Sequence, residues 1–356
     1  MILTYKYRIK NRRSSRALRR HAIAVNQVWN YCCAQQLDVQ ARYRAGEKPR
    51  KWATFFDLAK LCKGAGSQLK LHQQSIGGVC REFAKARDKI AGAPRFRSSF
   101  GVHRALGWIP FEGQGRQING NSITYLRKCY RFWEGKRPLP ETAKGGAFVE
   151  DTLGRWYVCF HVEVAQRSNG GSVVGIDLGL KSFGTLSDGR KFEAPQFYRC
   201  YEQRLATAQR AGNRRRVRRL HAKIKACRTD FLHKLSTELA GQNAIIAVGN
   251  VNVNTLAPKS VYDAGWSTFR TMLAYKAADY REVDERFTTV TCSACGSRCG
   301  PKGIAGLRIR VWECSDCGVN HDRDVNAAKN ILALSLSAQR PVEESQEPDK
   351  HSTVMW

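Results

Sequence analysis

The chain is short of acid. Its 356 residues carry 30 Asp and Glu against 60 Lys and Arg, a formal net charge of +30. A neutral or basic partner gives no reason for such an excess. A polyanion does, because each phosphate neutralised releases condensed counterions. A solvated basic surface, as on a ribosomal or membrane-surface protein, is the blander reading. The 42% hydrophobic content and a metal-ligand pattern near the C-terminus favour a folded nucleic-acid protein. Long apolar runs are missing too. None approaches the ~18 residues of a membrane span, and the N-terminus has no apolar leader core. A cytoplasmic protein with no membrane partner is expected. A disulfide framework is also absent: nine of the 13 cysteines (32, 33, 62, 80, 129, 159, 200, 227 and 299) follow no regular spacing. They read as reduced, mostly buried thiols.

What is present falls into blocks. Residues 1–10 alternate basic and apolar positions, predicting a strand with one basic face. Ser14 or Ser15 is placed to cap a helix through Leu18, Ala22, Val25, Trp29 and Cys32. A second helical region spans about Phe55 to Ile90. Trp108–Phe111, Ile123–Leu126 and Trp156–Val162 read as strands, the first at a sheet edge because of Pro110. Arg167–Gly171 reads as a hinge. Beyond it come a buried strand at Val173–Leu178 and a second strand ending at Asp188. A very basic helix follows at Phe197–Leu239, then a buried strand at Ala244–Val248. A helix at Tyr262–Ala278, a strand at Glu282–Val290 and a helix at Asp324–Leu334 complete the order.

Two C-x-x-C pairs, Cys292/Cys295 and Cys314/Cys317, have the spacing of two knuckles of a zinc ribbon with a closed, structural S4 shell. Leu307, Ile309 and Val311 alternate with Arg308 and Arg310, predicting a hairpin strand before the second knuckle. Cys299 is spare. Asp177 stands on a strand of Val, Gly, Ile and Leu, where an isolated carboxylate costs several kcal/mol unless paired or metal-bound. Gly175 and Gly179 flank it and are expected to leave room for a ligand. Asp324 opens a helix with Ala327 and Ala328 behind it. An ordinary N-cap is the rival reading, with Asp322 an equal candidate.

These segments together resemble the TnpB/OrfB family of insertion sequences, which is similar to the compact type V CRISPR nucleases. The residues are Gly175-Ile176-Asp177-Leu178-Gly179, Ala264-Gly265-Trp266 with Phe269, the ribbon, and His321-Asp322-Arg323-Asp324-Val325-Asn326-Ala327-Ala328-Lys329-Asn330-Ile331. The resemblance covers nearly the whole chain. It implies an α/β plus β architecture: a β-barrel-like wedge module (1–14 and 96–170) with a helical insertion (15–95). An RNase H-like (RuvC) nuclease domain (171–290 and 318–340) is split by the zinc ribbon (291–317), and a disordered tail (341–356) follows. It further implies a guide RNA, a double-stranded DNA target read beside a short adjacent motif, structural Zn2+, and catalytic Mg2+ held by acidic residues. The family pattern selects Asp177 and, over Asp322, Asp324.

One departure stands out. The family carries a Glu at the end of its middle strand, whereas Ala247-Val248-Gly249-Asn250 holds no acid. Either the acid has moved to the following strand, with Glu285 preferred over Glu282 and Asp284 because it shares a face with Val283 and Phe287, or the protein binds DNA as a nuclease-dead repressor. A second departure is the short link at 279–281. Strand-transferring DDE-type transposases and structural RNA-binding proteins are the remaining alternatives. Ten Lys or Arg lie between Glu202 and Asp230 with no acid. Arg214, Arg215, Arg216, Arg218, Arg219, Lys223 and Lys225 are the expected guide contacts. Arg12, Arg13, Arg16, Arg19 and Arg20 are the expected contacts to the target duplex.

Overall fold

A computed structural model of the chain describes residues 2–47, 50–90, 93–113, 116–135, 138–140, 143–164, 170–250, 265–306 and 308–337. The expected tail at 341–356, most of the expected hinge and the segment 251–264 lie outside the described residues. Two compact units are present, Met1–Ala165 and Gln166–Trp356. No described helix is long and apolar enough to cross a membrane.

The first unit is built on an antiparallel sheet of seven strands in the order β2-β6-β7-β1-β5-β4-β3. The strands are β1 (Ile2–Ile9), β2 (Trp108–Phe111), β3 (Arg116–Asn119), β4 (Ser122–Tyr125), β5 (Lys128–Trp133), β6 (Lys144–Glu150) and β7 (Trp156–Glu163). The alternation of β1 buries Tyr7 and Ile9 and exposes Lys6 and Arg8. Pro110 does lie on an edge strand, where its missing N–H breaks no ladder. Residues Leu126 and Arg127, whose φ values are 49° and 59°, make the two-residue turn between β4 and β5. The expected strand therefore stops at Tyr125; no Gly or Asn marks that turn in the sequence.

Helices α1 (Arg12–Arg44), α2 (Phe55–Leu61), α3 (Gly66–Leu69) and α4 (Gln73–Ile90) follow β1. Neither serine caps α1. Asn11 does, its side chain accepting from the Arg13 N–H, and the helix starts earlier than expected. Trp29 of α1 and Phe83 of α4 meet edge to face at 5.2 Å inside the core.

The second unit holds a five-stranded sheet: β8 (Ser172–Leu178), β9 (Ser182–Leu186), β10 (Lys191–Glu193), β11 (Asn243–Gly249) and β12 (Asp279–Val283). Their order is β10-β9-β8-β11-β12, with β8, β11 and β12 parallel and β9 antiparallel to its neighbours. The expected single helix at 197–239 is two, α5 (Phe197–Arg210) and α6 (Arg214–Gln242). Gly212, at φ 61°, turns the chain between them, and the Asn213 side chain caps α6 by accepting from Arg216 N–H. Helix α7 (Trp266–Lys276) ends so close to β12 that residues 279–281 are strand, not a connecting link. After the short α8 (Gly303–Gly306) come a hairpin, β13 (Val311–Glu313) with β14 (Asn320–Asp322), and α9 (Arg323–Ser337). The hairpin strand expected from Leu307 starts only at Val311, and Leu307 lies outside the described residues.

Candidate active site

Val174, Ile176 and Leu178 of β8 turn to one side of the sheet and enter the apolar core with Leu232, Leu239, Phe269 and Leu273. The alternate positions, Gly175 and Asp177, therefore face the other way. Helix α9 packs there. A Cβ at Gly175 would overlap the Ala328 carbonyl oxygen and crowd Leu332 N at 2.9 Å. Gly175 thus admits a helix backbone, not the ligand expected from the sequence, and a Cβ at Gly179 would come within 3.0 Å of Ser182 O. The fully buried Ala327 and Ala328 complete this contact. It brings Asp324, in the first turn of α9, to the carboxyl end of β8.

Asp322 takes the capping role. Its Oδ1 accepts from the N–H groups of Asp324 and Val325, both at 3.1 Å, while Lys191 Nζ donates to Oδ2 at 2.6 Å. Burial pushes the Asp322 carboxyl up, but the Lys191 and backbone donors outweigh it and hold it below its ordinary value. Asp324 is left to other partners. Arg310, just ahead of the hairpin, donates to Asp324 Oδ1 at 3.1 Å; the sequence pattern gave no sign of this contact.

Glu285 does not lie on a strand. β12 stops at Val283, and the chain then turns through 286–290 with Phe287 exposed and at φ 68°. The inward strand face expected for Val283, Glu285 and Phe287 is therefore absent. A positive φ at a bulky residue costs about 1–3 kcal/mol and persists only where neighbours over-determine it. Here Glu285 O accepts from Thr288 N–H and Oγ1–H, and Phe287 O accepts from the N–H groups of Val290 and Thr291.

The turn delivers Glu285 to the end of β11. A Cβ built on Gly249 would lie 2.9 Å from Glu285 Oε2, 3.3 Å from Glu285 Cβ and 3.0 Å from Ile331 Cδ1. The register sets Ala247 beside Gly175 and Gly249 beside Val283, so Gly249 shares the α9 face with Asp177. Glu285 fills the space that a side chain at 249 would need. Glu282 and Asp284 are turned elsewhere, to Tyr280 and Arg286.

Asp177 records this company. Burial, then the charges of Asp324 and Glu285, push its carboxyl up to about 8, against smaller opposing effects of Arg323 and Arg310. Burial also raises Glu285, which Arg270 partly offsets. Asp177 thus feels both other acids, but the three carboxylates do not come within 4.8 Å of one another as the cysteines below do.

The sulfurs of Cys292, Cys295, Cys314 and Cys317 all lie within 4.8 Å of one another, a shell that could hold a metal such as zinc. Cys299 Sγ approaches Cys314 Sγ at 3.2 Å. His321 Nε2 lies 3.0 Å from Cys292 Sγ, with its ring against Trp312 at 4.7 Å. His321 is on β14, which runs directly into α9, so the cysteine cluster and Asp324 share one short piece of backbone.

A family profile described as "Cas12f1-like, TNB domain" matches residues 266–331, and an OrfB_IS605 profile described as "Probable transposase" matches residues 157–259. A Streptomyces pristinaespiralis protein named "Putative RNA-guided DNA endonuclease" is 39% identical over 349 residues, covering 85% of this chain and 81% of its own. The chain belongs to the TnpB/OrfB family. An Escherichia coli K12 relative, "Putative RNA-guided DNA endonuclease InsQ", is 27% identical over 302 residues and 73% of each chain. A Cas12f1–sgRNA–target DNA complex solved by cryo-EM shares the fold at TM-score 0.60 and 12% identity, over 90% of this chain and 83% of that one.

Within this TnpB/OrfB chain the asparagines of the last motif act as a clamp. Asn326 Nδ2 donates to Thr288 O and Thr291 O, its Oδ1 accepts from Ser293 N–H, and Asn330 Nδ2 donates to the same two carbonyls. One helix face thereby ties the Glu285 turn, the first knuckle and Asp324 together. Their spacing marks them as helix-face neighbours; what they hold is visible only in the fold.

The basic positions are outward. Arg214, Arg215, Arg216, Arg218, Arg219, Lys223 and Lys225 are all exposed, and the Lys234–Asp230 ion pair of α6 lies beyond them. On α1, Arg13, Arg16 and Arg20 are exposed, whereas Arg19 turns toward Glu150 at 3.8 Å. Of the Arg12 side chain nothing is described. Neither α1 nor α6 has an acid in its first turn. Cations at a helix N-terminus oppose the macrodipole by about 0.3–1 kcal/mol each, so helix stability does not account for this placement.

Proposed function

We propose that this chain is an RNA-guided DNA endonuclease that cuts double-stranded DNA beside a short adjacent motif by Mg2+-dependent phosphodiester hydrolysis. The observation that carries the reading is Glu285 occupying the side-chain space of Gly249, next to Asp177 and Asp324. The acid missing from the middle strand is replaced from the turn after the next one. The five-stranded order, which is 3-2-1-4-5 counted within the unit with its second strand antiparallel, supports an RNase H-like nuclease domain. Two relatives named as RNA-guided DNA endonucleases support the same class.

Asp177, Glu285 and Asp324 are the residues that would hold Mg2+. Their chemistry fits: a carboxyl pushed up by two other acids is relieved by a divalent cation among them. Bound Mg2+ supplies an activated water and charge stabilisation at a scissile phosphate. The chain's own part is positional. The Asn326 and Asn330 clamp fixes Glu285, Gly175 seats α9, and Asp322 caps that helix. Arg310 is placed to neutralise charge on Asp324 or on a phosphate beside it. Zn2+ at Cys292, Cys295, Cys314 and Cys317 is the structural ion of this reading. Arg214, Arg215, Arg216, Arg218, Arg219, Lys223 and Lys225 take the guide RNA. Arg12, Arg13, Arg16 and Arg20 take the target duplex, and Arg19 is partly engaged by Glu150.

The test is cleavage of a plasmid library with randomised flanks by protein co-purified with its native flanking RNA, in Mg2+ or EDTA. Cuts at one flank motif that vanish in EDTA, in Asp177→Ala and in Glu285→Ala are expected. Cuts that survive Glu285→Ala remove that residue from the site. Guide-dependent retention of the library without any cut makes the protein an RNA-guided repressor instead.

A further inference from the structure

Three cysteines that the nuclease reading leaves unused converge in the core of the first unit. Cys32 is on α1, Cys62 is the C-cap of α2, and Cys80 is on α4. Their sulfurs all lie within 4.8 Å of one another, with Cys32 and Cys80 at 3.9 Å. All three are buried, at 0%, 4% and 0% exposure. Nothing in the sequence announces the group, because no C-x-x-C pair is involved and each sulfur comes from a different helix.

The ribbon provides a yardstick inside the same chain. Metal–thiolate bonds of about 2.3 Å put the sulfurs of a tetrahedral shell about 3.8 Å apart. The ribbon sulfurs meet at 3.6 and 3.7 Å, and the Cys32–Cys80 contact is of the same size. Cys33 supplies the contrast. It is also fully buried, yet its S–H donates to the Pro94 carbonyl at 3.3 Å and it joins no cluster. That is how a thiol serving as a small apolar side chain settles in this core.

We propose that Cys32, Cys62 and Cys80 form a second metal site, a three-thiolate shell for a thiophilic d10 cation of the Zn2+ or Cu+ type. On binding, each ligating thiol releases its proton to solvent and the sulfur forms the metal bond, with no change of oxidation state. Among the described residues no other Cys, His, Asp or Glu joins the group within 4.8 Å. The shell thus suits a three-coordinate soft ion, or Zn2+ with one small added ligand. Its effect is a staple. Helix α2 has seven residues, too few to hold alone; its Thr54–Asp57 capping box, buried Leu58 and Phe55, which packs on the core under the Arg81 guanidinium of α4, also support it. A metal on Cys62 ties α2 to the long helices α1 and α4.

Metal content of the full-length protein tests this. After exchange into excess Zn2+ and removal of free ion, elemental analysis is expected to give two zinc per chain. Cys80→Ser and Cys292→Ser should each leave one, and Cys33→Ser should leave two. With Co2+ in place of Zn2+, Cys80→Ser should lower the thiolate charge-transfer band by the share of three thiolates in seven. A chain that takes one zinc and then one Cu+ under anaerobic conditions has the same site with the softer ion. A single equivalent in both metals overturns the site, and this count on the wild-type chain needs no folded variant.

Discussion

Two carboxylates at strand positions, one in each unit, Glu150 buried and Asp177 half-buried, have opposite fates. Glu150 ends β6 at 7% exposure. Both its oxygens accept from Arg104 at 2.7 Å, and the Gly107 N–H donates to it at 3.0 Å. Burial pushes its carboxyl up, but these donors outweigh burial and hold it below its ordinary value. Asp177, on β8, has acids for neighbours where Glu150 has donors, and it stands at about 8. The first carboxylate is satisfied by the fold. The second keeps its acid neighbours, and the proposed function assigns it a cation.

Asp177→Ala, Glu285→Ala and Asp324→Ala are each expected to lower guided cleavage by about 100-fold or more. Glu282→Ala and Asp284→Ala should stay within about twofold, as surface changes do. Gel quantification of cut plasmid decides, and a strong loss in Glu282→Ala would move the third acid. In the other unit, Glu150→Ala is expected to cost about 3 kcal/mol, because it strands Arg104. Urea unfolding reads this, and an unchanged midpoint removes the structural role.

Gly249→Glu should cost about 1–3 kcal/mol and lose cutting, since the new side chain meets Glu285. Combined with Glu285→Gly, the same change should recover part of both. If Gly249→Glu is neutral with Glu285 in place, the two positions do not exclude each other.

The smallest effect is in pH. Asp177 keeps its proton in the folded chain up to about pH 8 but loses it near pH 3.9 when unfolded. The folded state binds more protons between these values, so this residue's contribution falls as pH rises from about 4 to about 8. Asp177→Asn should therefore raise Tm at pH 7 by about 2 °C or more. It should also abolish the Mg2+-induced rise expected of the wild type. Glu150 runs the other way. Its contribution is present above its unfolded value near 4.3 and is lost as pH falls through its lower folded value. Thermal melts of Asp177→Asn against wild type, with and without Mg2+, check the signs.

Much of this is legible in the sequence where the signal is local. The β1 alternation sets which side is buried, because side chains in a strand point alternately to either face. The two C-x-x-C pairs bring their sulfurs together because each knuckle is a tight turn of four residues. Turn chemistry without Gly or Asn is not legible, which is why Leu126-Arg127 and the Phe287 turn are unexpected. Caps are ambiguous for the same reason: Asn11, Ser14 and Ser15 all have the chemistry, and only the backbone path chooses Asn11.

Readable from the chain alone are the basic charge, the cysteine pairs, most of the helices and several of the strands, and acids at Asp177 and Asp324 with none at 249. Each of these is composition or short-range spacing. Tertiary structure decided which of Asp322 and Asp324 caps α9 and how Glu285 reaches the end of β11 from a turn. It also decided that Gly175 makes way for a helix, that Asn326 and Asn330 hold the Glu285 turn, and that Cys32, Cys62 and Cys80 meet. All of these depend on how separate strands and helices pack and register, and a contact between residues far apart along the chain leaves no periodicity in it.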